Sequence, residues 1–483
     1  MPARSEPCLF IVFGATGDLM TRKLLPALYH LGRHGQLSDD FRILGVGRSS
    51  EMDHGALRRT MCEALVEAGL GRHRPEEWCE RTIYYHSIHD NTPEDFARLR
   101  CAIETLEREH QLTSRRVFYL ALPPQAFPGT IIGLGEAGLN ISSGWTRLVI
   151  EKPFGRDLAS ARELNDIVHR YFDESQIYRI DHYLGKETVQ NLMVFRFANP
   201  IFESLWNRSQ VESVQITVAE SLGIDSRAGY YEHAGAMRDM IQNHLSQLLC
   251  LIAMEVPDAF DAEAIRDEKN KVMRVIAPVQ PDDIVFGQYQ WGTIEGEEVV
   301  GYRDEAGVAA SSRTETFVAM KLEVPNWRWQ GVPFYLRTGK RMPRRSSRIM
   351  VTFRCAPVAL FKPYACPVNA NVLGITLQPE EGFDLQFEVK HPGQPLTVAS
   401  QRLRFRYAEA FSPLPDAYET LLLDILAGDA TLFVRGDWVE RSWKLYTPVL
   451  ENPPAVEPYA AGTWGPPASK KLLARDNRVW LPV

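Results

Sequence analysis

The first third of the chain alternates between short apolar runs and longer amphipathic stretches. The apolar runs predict buried β-strands, whereas the stretches between them repeat their apolar positions with the period of an α-helix. The predicted strands span 8–13, 41–46, 82–88, 116–122 and 147–150, and the predicted helices span 19–35, 52–68, 93–110 and 158–172. Strands separated by helices of this length are typical of a parallel, doubly wound, Rossmann-like sheet.

The pattern changes after about residue 180, where strand-like runs follow one another without helices between them. Beside a long apolar helix at 237–252, strands are predicted at 213–219, 284–289, 316–324, 333–337, 349–353 and 382–389. Such runs indicate an α+β domain built on a mostly antiparallel sheet. We therefore predict an N-terminal Rossmann-like domain, residues 1–180, and a larger C-terminal domain, residues 181–483, whose Pro-rich tail, 452–467, wraps over the surface.

The composition is that of an ordinary globular protein with room for two domains, because 45% of the 483 residues are hydrophobic and 24% are charged. The net charge of -7 argues against a nucleic acid partner, since phosphate backbones are bound by clustered Lys and Arg. Seven scattered cysteines without zinc-ligand spacing indicate reduced thiols and no metal site. No signal region and no long apolar run is present, so we expect a soluble cytoplasmic protein that does not bind membranes.

A glycine turn follows the first predicted strand, and its residues are Gly14, Ala15, Thr16, Gly17, Asp18 and Leu19. Glycine allows a tight turn and lets a pyrophosphate approach the N–H groups at the start of the next helix. The turn departs from the standard G-x-G-x-x-G pattern at Thr16, so an ordinary connection between strand and helix is the alternative.

The second predicted strand is followed by Arg48 and by no acidic residue. NAD-binding folds place a carboxylate there to hold the ribose 2′-OH, whereas a guanidinium suits the 2′-phosphate of NADP. Arg48 therefore favours NADP, and Lys23 in the first helix is a second candidate for the same phosphate. For each side chain, a solvated surface charge is the alternative.

Two further clusters of polar residues follow apolar strands or turns. Lys152 comes directly after the strand at 147–150, at the strand end where such folds hold their ligands. His182, Tyr183 and Lys186 offer an imidazole, a phenol and an ammonium group within five positions, which suits a phosphate. Purely structural roles at a strand end or a turn are the alternatives.

His244 lies in the long apolar helix, five residues after Asp239. Oxidation of an alcohol by hydride transfer needs a base near the hydroxyl group, and a neutral imidazole is suited to that task. A carboxylate on the same side of the helix would fix the tautomer, so Asp239 is the local candidate for the partner. The alternative is a histidine satisfied inside the core. A basic cluster at 337–345 is either a solvated turn or a source of cations for an anionic ligand.

Together these residues resemble the glucose-6-phosphate dehydrogenase family. The matching motifs run in the family's order over nearly the whole chain, at Gly14–Leu19, Glu151–Gly155, Arg179–Lys186, Arg238–His244, Arg337–Lys340, Ala417–Glu419 and Gly462–Pro466. The segment Ile180–Lys186 is highly specific, whereas the glycine turn alone is not. The resemblance implies an enzyme that oxidises glucose 6-phosphate at C1 with NADP, with NAD as a weaker alternative cofactor.

The resemblance also implies individual roles in catalysis. His244 is expected to be the general base, and Asp181 replaces Asp239 as the carboxylate that pairs with it. Lys152 is expected to lie beside both the sugar and the nicotinamide. The substrate phosphate is assigned to His182, Tyr183 and Lys186, its hydroxyl groups to Asp239 and Glu220, further substrate contacts to Lys340 and Arg345, and the NADP end to Arg48, Thr16 and Lys23. A homodimer or homotetramer built through the large sheet is expected as well.

Three other functions match part of the pattern. The first is a dehydrogenase of the same architecture for another sugar phosphate or for free glucose. The phosphate-type cluster near Lys186 argues against free glucose as the substrate. The second is an inactive regulatory relative, although every candidate catalytic residue is present. The third is a dinucleotide-binding redox sensor, which would not need His244 together with Asp181 and Lys152.

Overall fold

The computed structural model describes residues 4–358, 360–361, 368–393, 396–411 and 414–482. The chain divides into two compact units. Unit 1 comprises Met1–Gly185, Phe260–Arg266 and Pro415–Glu440, and unit 2 comprises Lys186–Ala259, Asp267–Leu414 and Arg441–Val483. The boundary predicted at residue 180 thus lies five residues before the first change of unit, and two later segments also belong to unit 1.

Long-range hydrogen bonds explain why these later segments join unit 1. The N–H of Val434 donates to the carbonyl of Arg179 at 3.1 Å, and Arg266 Nε donates to the carbonyl of Phe433 at 3.2 Å. Both donors come from segments that a single linear boundary assigns to the second domain.

Unit 1 is built on a parallel six-stranded sheet, counted over the described residues, which confirms the predicted Rossmann-like fold. Its strands are β1 (Leu9–Phe13), β2 (Arg42–Gly47), β3 (Ile83–Ser87), β4 (Arg116–Leu120), β5 (Thr146–Ile150) and β6 (Ile177–Arg179). The strand order is β3-β2-β1-β4-β5-β6. Central strands β1 and β4 are fully buried, because helices cover both faces of a sheet of this kind.

The helices of unit 1 lie in the connections between these strands and in a later segment. They are α1 (Leu25–Arg33), α2 (His54–Glu67), α3 (Pro75–Thr82), α4 (Pro93–Glu109), α5 (Phe127–Glu136), α6 (Leu158–Tyr171) and α13 (Ala417–Ala427). A short π-helix, Met20–Leu24, precedes α1. Asp53, Thr92 and Asp157 cap the N-termini of α2, α4 and α6 by accepting backbone N–H bonds, as polar residues before a helix commonly do.

Unit 2 is built on a nine-stranded, mostly antiparallel sheet, as predicted for the second domain. The order among the described strands is β16-β15-β14-β13-β7-β12-β11-β8-β17, and β9 and β10 form a separate hairpin. The strands are β7 (Val211–Ala219), β8 (Ile284–Gln290), β9 (Gly292–Ile294), β10 (Glu297–Val299), β11 (Phe317–Glu323), β12 (Pro333–Gly339), β13 (Ser346–Phe353), β14 (Val372–Gln378), β15 (Gly382–Lys390), β16 (Val398–Arg406) and β17 (Val456–Ala460). Two pairs, β7 with β12 and β8 with β17, are parallel.

The helices of unit 2 are α7 (Glu187–Phe197), α8 (Pro200–Glu203), α9 (Ala228–Ala236), α10 (Ser246–Ala253), α12 (Tyr407–Ala410) and α15 (Pro467–Ala474). Two more helices, α11 (Ala262–Val275) and α14 (Gly436–Glu451), have residues in both units. A π-helix, Met237–Leu245, joins α9 to α10.

The Pro-rich tail differs from its prediction as surface wrapping. Residues Val456–Ala460 form β17, which pairs in parallel with β8 at one edge of the large sheet. An edge position explains why Pro458 is accepted there, since proline has no N–H to donate to a neighbouring strand.

Six cysteines lie in the described residues, and none of the six is part of a disulfide. Cys366, the seventh in the sequence, lies outside the described residues. Within the described parts of the chain, no helix combines the length and the apolar character that crossing a membrane requires.

Candidate functional site

The candidate residues of unit 1 lie at one edge of its sheet. Gly14 follows β1, Arg48 follows β2, Lys152 follows β5 and Asp181 follows β6. Because all six strands run in parallel, these residues share the C-terminal edge although they are far apart in the sequence. The strand order reverses between β1 and β4, and the crevice at such a switch point is where these folds bind nucleotides.

The glycine turn is shaped for a phosphate group. Gly14 has φ +85°, and a Cβ at this position would collide with the carbonyl oxygen of Ala121 at the end of β4. Thr16, Gly17 and Asp18 are exposed beyond the turn. Only glycine adopts this conformation without strain, and the exposed backbone before the following helix fits a dinucleotide pyrophosphate.

The two cations proposed for the NADP 2′-phosphate differ in their surroundings. Arg48 is exposed and makes no ion pair with any described residue. Lys23 Nζ lies 3.2 Å from Asp416 Oδ2, and both side chains are about half exposed. A guanidinium without a carboxylate partner at the end of β2 fits a 2′-phosphate, so the structure is compatible with the group that the sequence implies.

Lys152 is held in a loop that is anchored by its neighbour, Glu151. The Glu151 carboxylate accepts hydrogen bonds from Tyr119 Oη at 2.6 Å and from Tyr418 Oη at 3.3 Å. Burial raises the pKa of Glu151, and the two phenols oppose that rise. The peptide bond between Lys152 and Pro153 is cis.

The segment after β6 carries three candidate residues. Asp181 is 2% exposed, and its Oδ1 accepts the N–H of Tyr183 at 3.1 Å. The His182 ring stacks on Tyr418, with ring centroids 6.5 Å apart and planes at 8°. Tyr418 therefore contacts His182 with its ring while its hydroxyl group reaches Glu151.

In unit 2, two of the predicted cations meet at one amide group. Lys186 Nζ donates to Gln378 Oε1 at 2.8 Å, and Arg345 Nη2 donates to the same oxygen at 3.0 Å. Gln378 is oriented in turn by Ser347, whose Oγ accepts from Gln378 Nε2 at 2.7 Å. Two cations held this close match the charge and the hydrogen-bond acceptors of an anion such as a phosphate.

Glu220 and Lys340 are brought together by a parallel pair of strands. They directly follow β7 and β12, and Lys340 Nζ lies 2.7 Å from Glu220 Oε2. Lys340 is 3% exposed and also lies 5.0 Å from the centre of the Tyr231 ring. Burial raises the pKa of Tyr231, and the nearby carboxylates of Asp239 and Glu220 raise it further. Carboxylates and an ammonium group around one ring provide donors and acceptors for sugar hydroxyl groups.

Asp239 and His244 lie in the π-helix that joins α9 to α10. Residues five apart lie about 140° from each other around an α-helix, since each residue turns the chain by about 100°. In a π-helix, whose hydrogen bonds link residues five apart, the same two residues lie only about 50° from each other around the axis. The π-helix therefore places Asp239 and His244 on one face, which a regular helix would not do. Asp239 Oδ1 also accepts a hydrogen bond from Tyr230 Oη at 3.2 Å.

His244 is 1% exposed, but its neighbours in the sequence are not all apolar. Four polar neighbours on the same helical stretch are also buried: Gln242, Asn243, Ser246 and Gln247. Such residues are seldom buried together, because each must be hydrogen-bonded to offset the loss of water. The stretch is therefore a buried polar segment, in which Ser246 is hydrogen-bonded to Tyr446 while Gln247 Oε1 and Nε2 have no hydrogen-bond partner among the described residues.

The N-terminus of this π-helix is capped by a buried acid. Glu315 Oε1 accepts the N–H of Met237 at 3.1 Å, and the Glu315 carbonyl accepts the N–H of Ala236 at 2.9 Å. Gly235 has φ +63°, and a Cβ there would collide with the Glu315 carboxylate. Burial raises the pKa of Glu315 from 4.5 to about 7.

Glu315→Gln is expected to stabilise the protein at pH 8 and to have no such effect near pH 4. Between pH 4.5 and about 7 the folded state binds more protons at Glu315 than the unfolded state, so wild-type stability falls as the pH rises through this window. The amide removes that dependence, which is worth on the order of 3 kcal/mol across the window. Urea unfolding of both proteins at several pH values measures the difference, with the exposed Glu297→Gln as a control. If the difference in unfolding free energy between the two proteins did not change with pH, the raised pKa of the buried Glu315 would be contradicted.

Each predicted site residue lies in the described part of the chain, in a loop or turn next to a strand or in a helix of its own unit. The structure adds two residues that the sequence did not suggest, Gln378 and Glu315, and it shows the contacts of Tyr418, which the motif Ala417–Glu419 had included without a role. Gln378 ends β14 beside Ser347 on β13, and this cross-strand pairing is the only signal that leads to it. Within the described residues, no group of three or more His, Cys, Asp or Glu side chains is placed to hold a metal ion.

Two family models together match almost the whole chain. The model described as "Glucose-6-phosphate dehydrogenase, NAD binding domain" matches residues 11–191. The model described as "Glucose-6-phosphate dehydrogenase, C-terminal domain" matches residues 193–481.

Curated relatives and solved structures agree with these matches. The chain is 44% identical over 487 residues to the glucose-6-phosphate 1-dehydrogenase of Aggregatibacter actinomycetemcomitans, covering 99% of this chain and 98% of the relative. It is 46% identical over 488 residues to that of Rhizobium meliloti (strain 1021), covering 98% of each. A solved structure described as "Glucose-6-phosphate dehydrogenase in complex with its substrate glucose-6-phosphate" matches with a TM-score of 0.91 and 35% identity over 100% of both chains. A glucose-6-phosphate 1-dehydrogenase from Mycobacterium avium matches with a TM-score of 0.85 and 32% identity over 99% of each chain.

Proposed function

Because the chain belongs to the glucose-6-phosphate dehydrogenase family, we propose the residues through which it carries out that family's reaction. The enzyme oxidises D-glucose 6-phosphate at C1 to 6-phospho-D-glucono-1,5-lactone, with transfer of a hydride to NADP. The observation that carries the residue assignments is that candidates far apart in the sequence follow neighbouring strands of one sheet within each unit.

His244 is the proposed general base. It takes the proton of the C1 hydroxyl group as the C1–H bond breaks, so that the oxygen retains the electrons needed for the lactone carbonyl. Asp181 has the proposed role of stabilising the positive charge that the imidazole acquires. The low exposure of His244 supports this role, because a base that is shielded from water exchanges protons with the bound substrate rather than with solvent.

The remaining residues have proposed roles in binding. Lys186, with His182 and Tyr183, binds the substrate phosphate, and Arg345 supports the same charge through the amide group that it shares with Lys186. Glu220, Asp239 and Lys340 bind the sugar hydroxyl groups. Lys152 lies beside the reacting groups, and the glycine turn Gly14–Leu19 binds the pyrophosphate of NADP.

A substrate panel tests the proposal against its nearest rival. NADPH formation is followed by absorbance with glucose 6-phosphate, with free glucose and with other sugar phosphates. We expect kcat/KM to be highest for glucose 6-phosphate and at least about 100-fold lower for free glucose, which leaves the phosphate-binding cations without a partner. Equal rates with free glucose would contradict the assignment of Lys186 and Arg345.

Arg48→Gln is expected to raise KM for NADP by about 10- to 100-fold while KM for NAD changes little. Its guanidinium is assigned to the 2′-phosphate, which NAD lacks, and one charge-assisted hydrogen bond is worth roughly 1.5–3 kcal/mol. Steady-state kinetics with each cofactor measure the two constants, with the surface variant Arg108→Gln as a control. Equal losses with both cofactors would show that Arg48 does not discriminate between them.

We also propose that the enzyme works in the cytoplasm as a homodimer or homotetramer. The free thiols among the described cysteines support a reducing compartment. Exposed Leu403 and Phe405 on β16, the outer strand of the large sheet, support association through that sheet. Light scattering of the purified protein distinguishes a monomer from these assemblies.

A further inference from the structure

A groove on unit 2 contains three cationic side chains and no acidic residue in its lining, all of which the structure describes. Arg274 comes from the last turn of α11, and Arg441 and Lys444 come from α14. Arg441 and Lys444 are three residues apart, so they share one face of their helix. The groove has a volume of about 530 Å³, which lies within the range of small-molecule sites.

The positive charge of this groove is not compensated within the described chain. Arg441 Nε is buried and has no hydrogen-bond partner there, and neither Arg274 nor Lys444 forms an ion pair with a described residue. A buried guanidinium N–H without a partner costs free energy, whereas Arg274 and Lys444 are exposed and solvated. A bound anion would give the Arg441 N–H an acceptor and would pair with the two other cations, and the guanidinium group matches the oxygens of a phosphate or carboxylate.

The rest of the lining is mostly apolar and rigid. It includes five prolines and several aliphatic side chains, among them Ile276 and Leu445. An inorganic ion would leave this surface in contact with water, whereas an anionic head group on an apolar body would cover both parts of the groove.

The opposite side of α14 packs on the helical stretch that carries His244. Ser442 Oγ donates to the carbonyl of Gln242 at 2.5 Å, and Tyr446 Oη and Ser246 Oγ are hydrogen-bonded at 2.8 Å. Ser442 and Tyr446 are both fully buried. Their two partners lie two residues before and two residues after His244, so a shift of α14 acts on both sides of the proposed base.

We propose that the groove binds an organic anion with a phosphate or carboxylate head group on an apolar body, and that α14 couples its occupancy to the helix that carries His244. Binding depends on the groove alone. The coupling rests on the proposed function, because it needs His244 to be the base.

Calorimetric titration of the full chain tests the binding. Hexyl phosphate, hexanoate, hexanol and inorganic phosphate are the probes, and saturating glucose 6-phosphate without NADP occupies the substrate phosphate site. We expect hexyl phosphate or hexanoate to bind at least about tenfold more tightly than hexanol or inorganic phosphate, and the tighter of the two identifies the head group. Arg441→Gln and Lys444→Gln should each weaken that binding by about tenfold or more, and so should Arg274→Gln on the other helix. Lys471→Gln, an exposed charge on α15, should leave it unchanged.

The proposed site is overturned if neither amphiphilic probe gives heat at about 10 mM, or if the three groove variants bind as tightly as Lys471→Gln does. The coupling is tested by kcat at saturating substrates, which the bound probe should change at least about twofold in the wild type and not in Arg441→Gln. An unchanged wild-type kcat with the probe bound overturns the coupling but not the site. If the wild type is inactive on glucose 6-phosphate, the proposed function is contradicted instead. The titration, repeated without that sugar, still shows whether the groove binds the probe.

Discussion

Replacing His244 with Asn is expected to lower kcat for glucose 6-phosphate by about 10²- to 10⁴-fold, the range that a positioned general base supplies. The amide is similar in size to the imidazole and can hydrogen-bond inside the π-helix, but it cannot accept a proton at neutral pH. The expected change in KM is less than about threefold, because the base acts as the C1 hydroxyl group loses its proton rather than when the sugar binds. Steady-state kinetics of NADPH formation measure both constants.

His233→Asn is the matched control, since this histidine lies nearby on α9 and its side chain is exposed. It should retain the wild-type kcat. If His244→Asn turned over within about threefold of the wild type, His244 would not be the base.

Replacing Lys186 with Gln is expected to raise KM for glucose 6-phosphate by about 10- to 100-fold, with a smaller change in kcat. The ammonium group and Arg345 donate to the same oxygen of Gln378, so the substitution removes one of two cations from the proposed phosphate site. The phosphate is remote from C1, and its binding energy is therefore lost mainly from the ground-state complex.

Two comparisons separate this role from a general effect of charge. Arg345→Gln should raise KM in the same direction, whereas Lys390→Gln, a lysine on the same sheet whose side chain is exposed, should not. The double variant should lose less than the sum of the two single losses in free energy, because both side chains act on one phosphate through a shared amide. An unchanged KM in Lys186→Gln would remove the phosphate assignment.

The sheet of unit 1 was predictable because its signals are local. Each central strand is a short apolar run, and each is followed by a helix whose apolar face repeats in the sequence. The position of the glycine turn after β1 and of Arg48 after β2 follows from those runs alone. Their common location at one sheet edge then follows from parallel strands joined by helices.

Features that depend on tertiary packing could not be predicted in this way. The segments Phe260–Arg266 and Pro415–Glu440 join unit 1 through long-range hydrogen bonds, for which the sequence has no local pattern. The tail strand β17 is short and contains proline, so its pattern resembles a loop until its pairing with β8 is known.

The helix with His244 shows the same limit inside the site. An apolar period of 3.6 residues predicts its existence, but it does not predict the π-helical geometry of Met237–Leu245 that places Asp239 and His244 on one face. Reasoning from the helix alone nominated Asp239 as the partner of His244. The family resemblance assigns that role to Asp181 instead, and this assignment stays a prediction. It is tested by comparing two variants: Asp181→Asn should mainly lower kcat, whereas Asp239→Asn should mainly raise KM.

The most direct test of the account is a crystal structure of the enzyme with glucose 6-phosphate bound. The account predicts an imidazole nitrogen of His244 within about 2.6–3.2 Å of the C1 hydroxyl oxygen and Lys186 Nζ within hydrogen-bond distance of the phosphate. A sugar whose C1 hydroxyl group lies out of reach of His244, or whose phosphate lies away from Lys186, would contradict it.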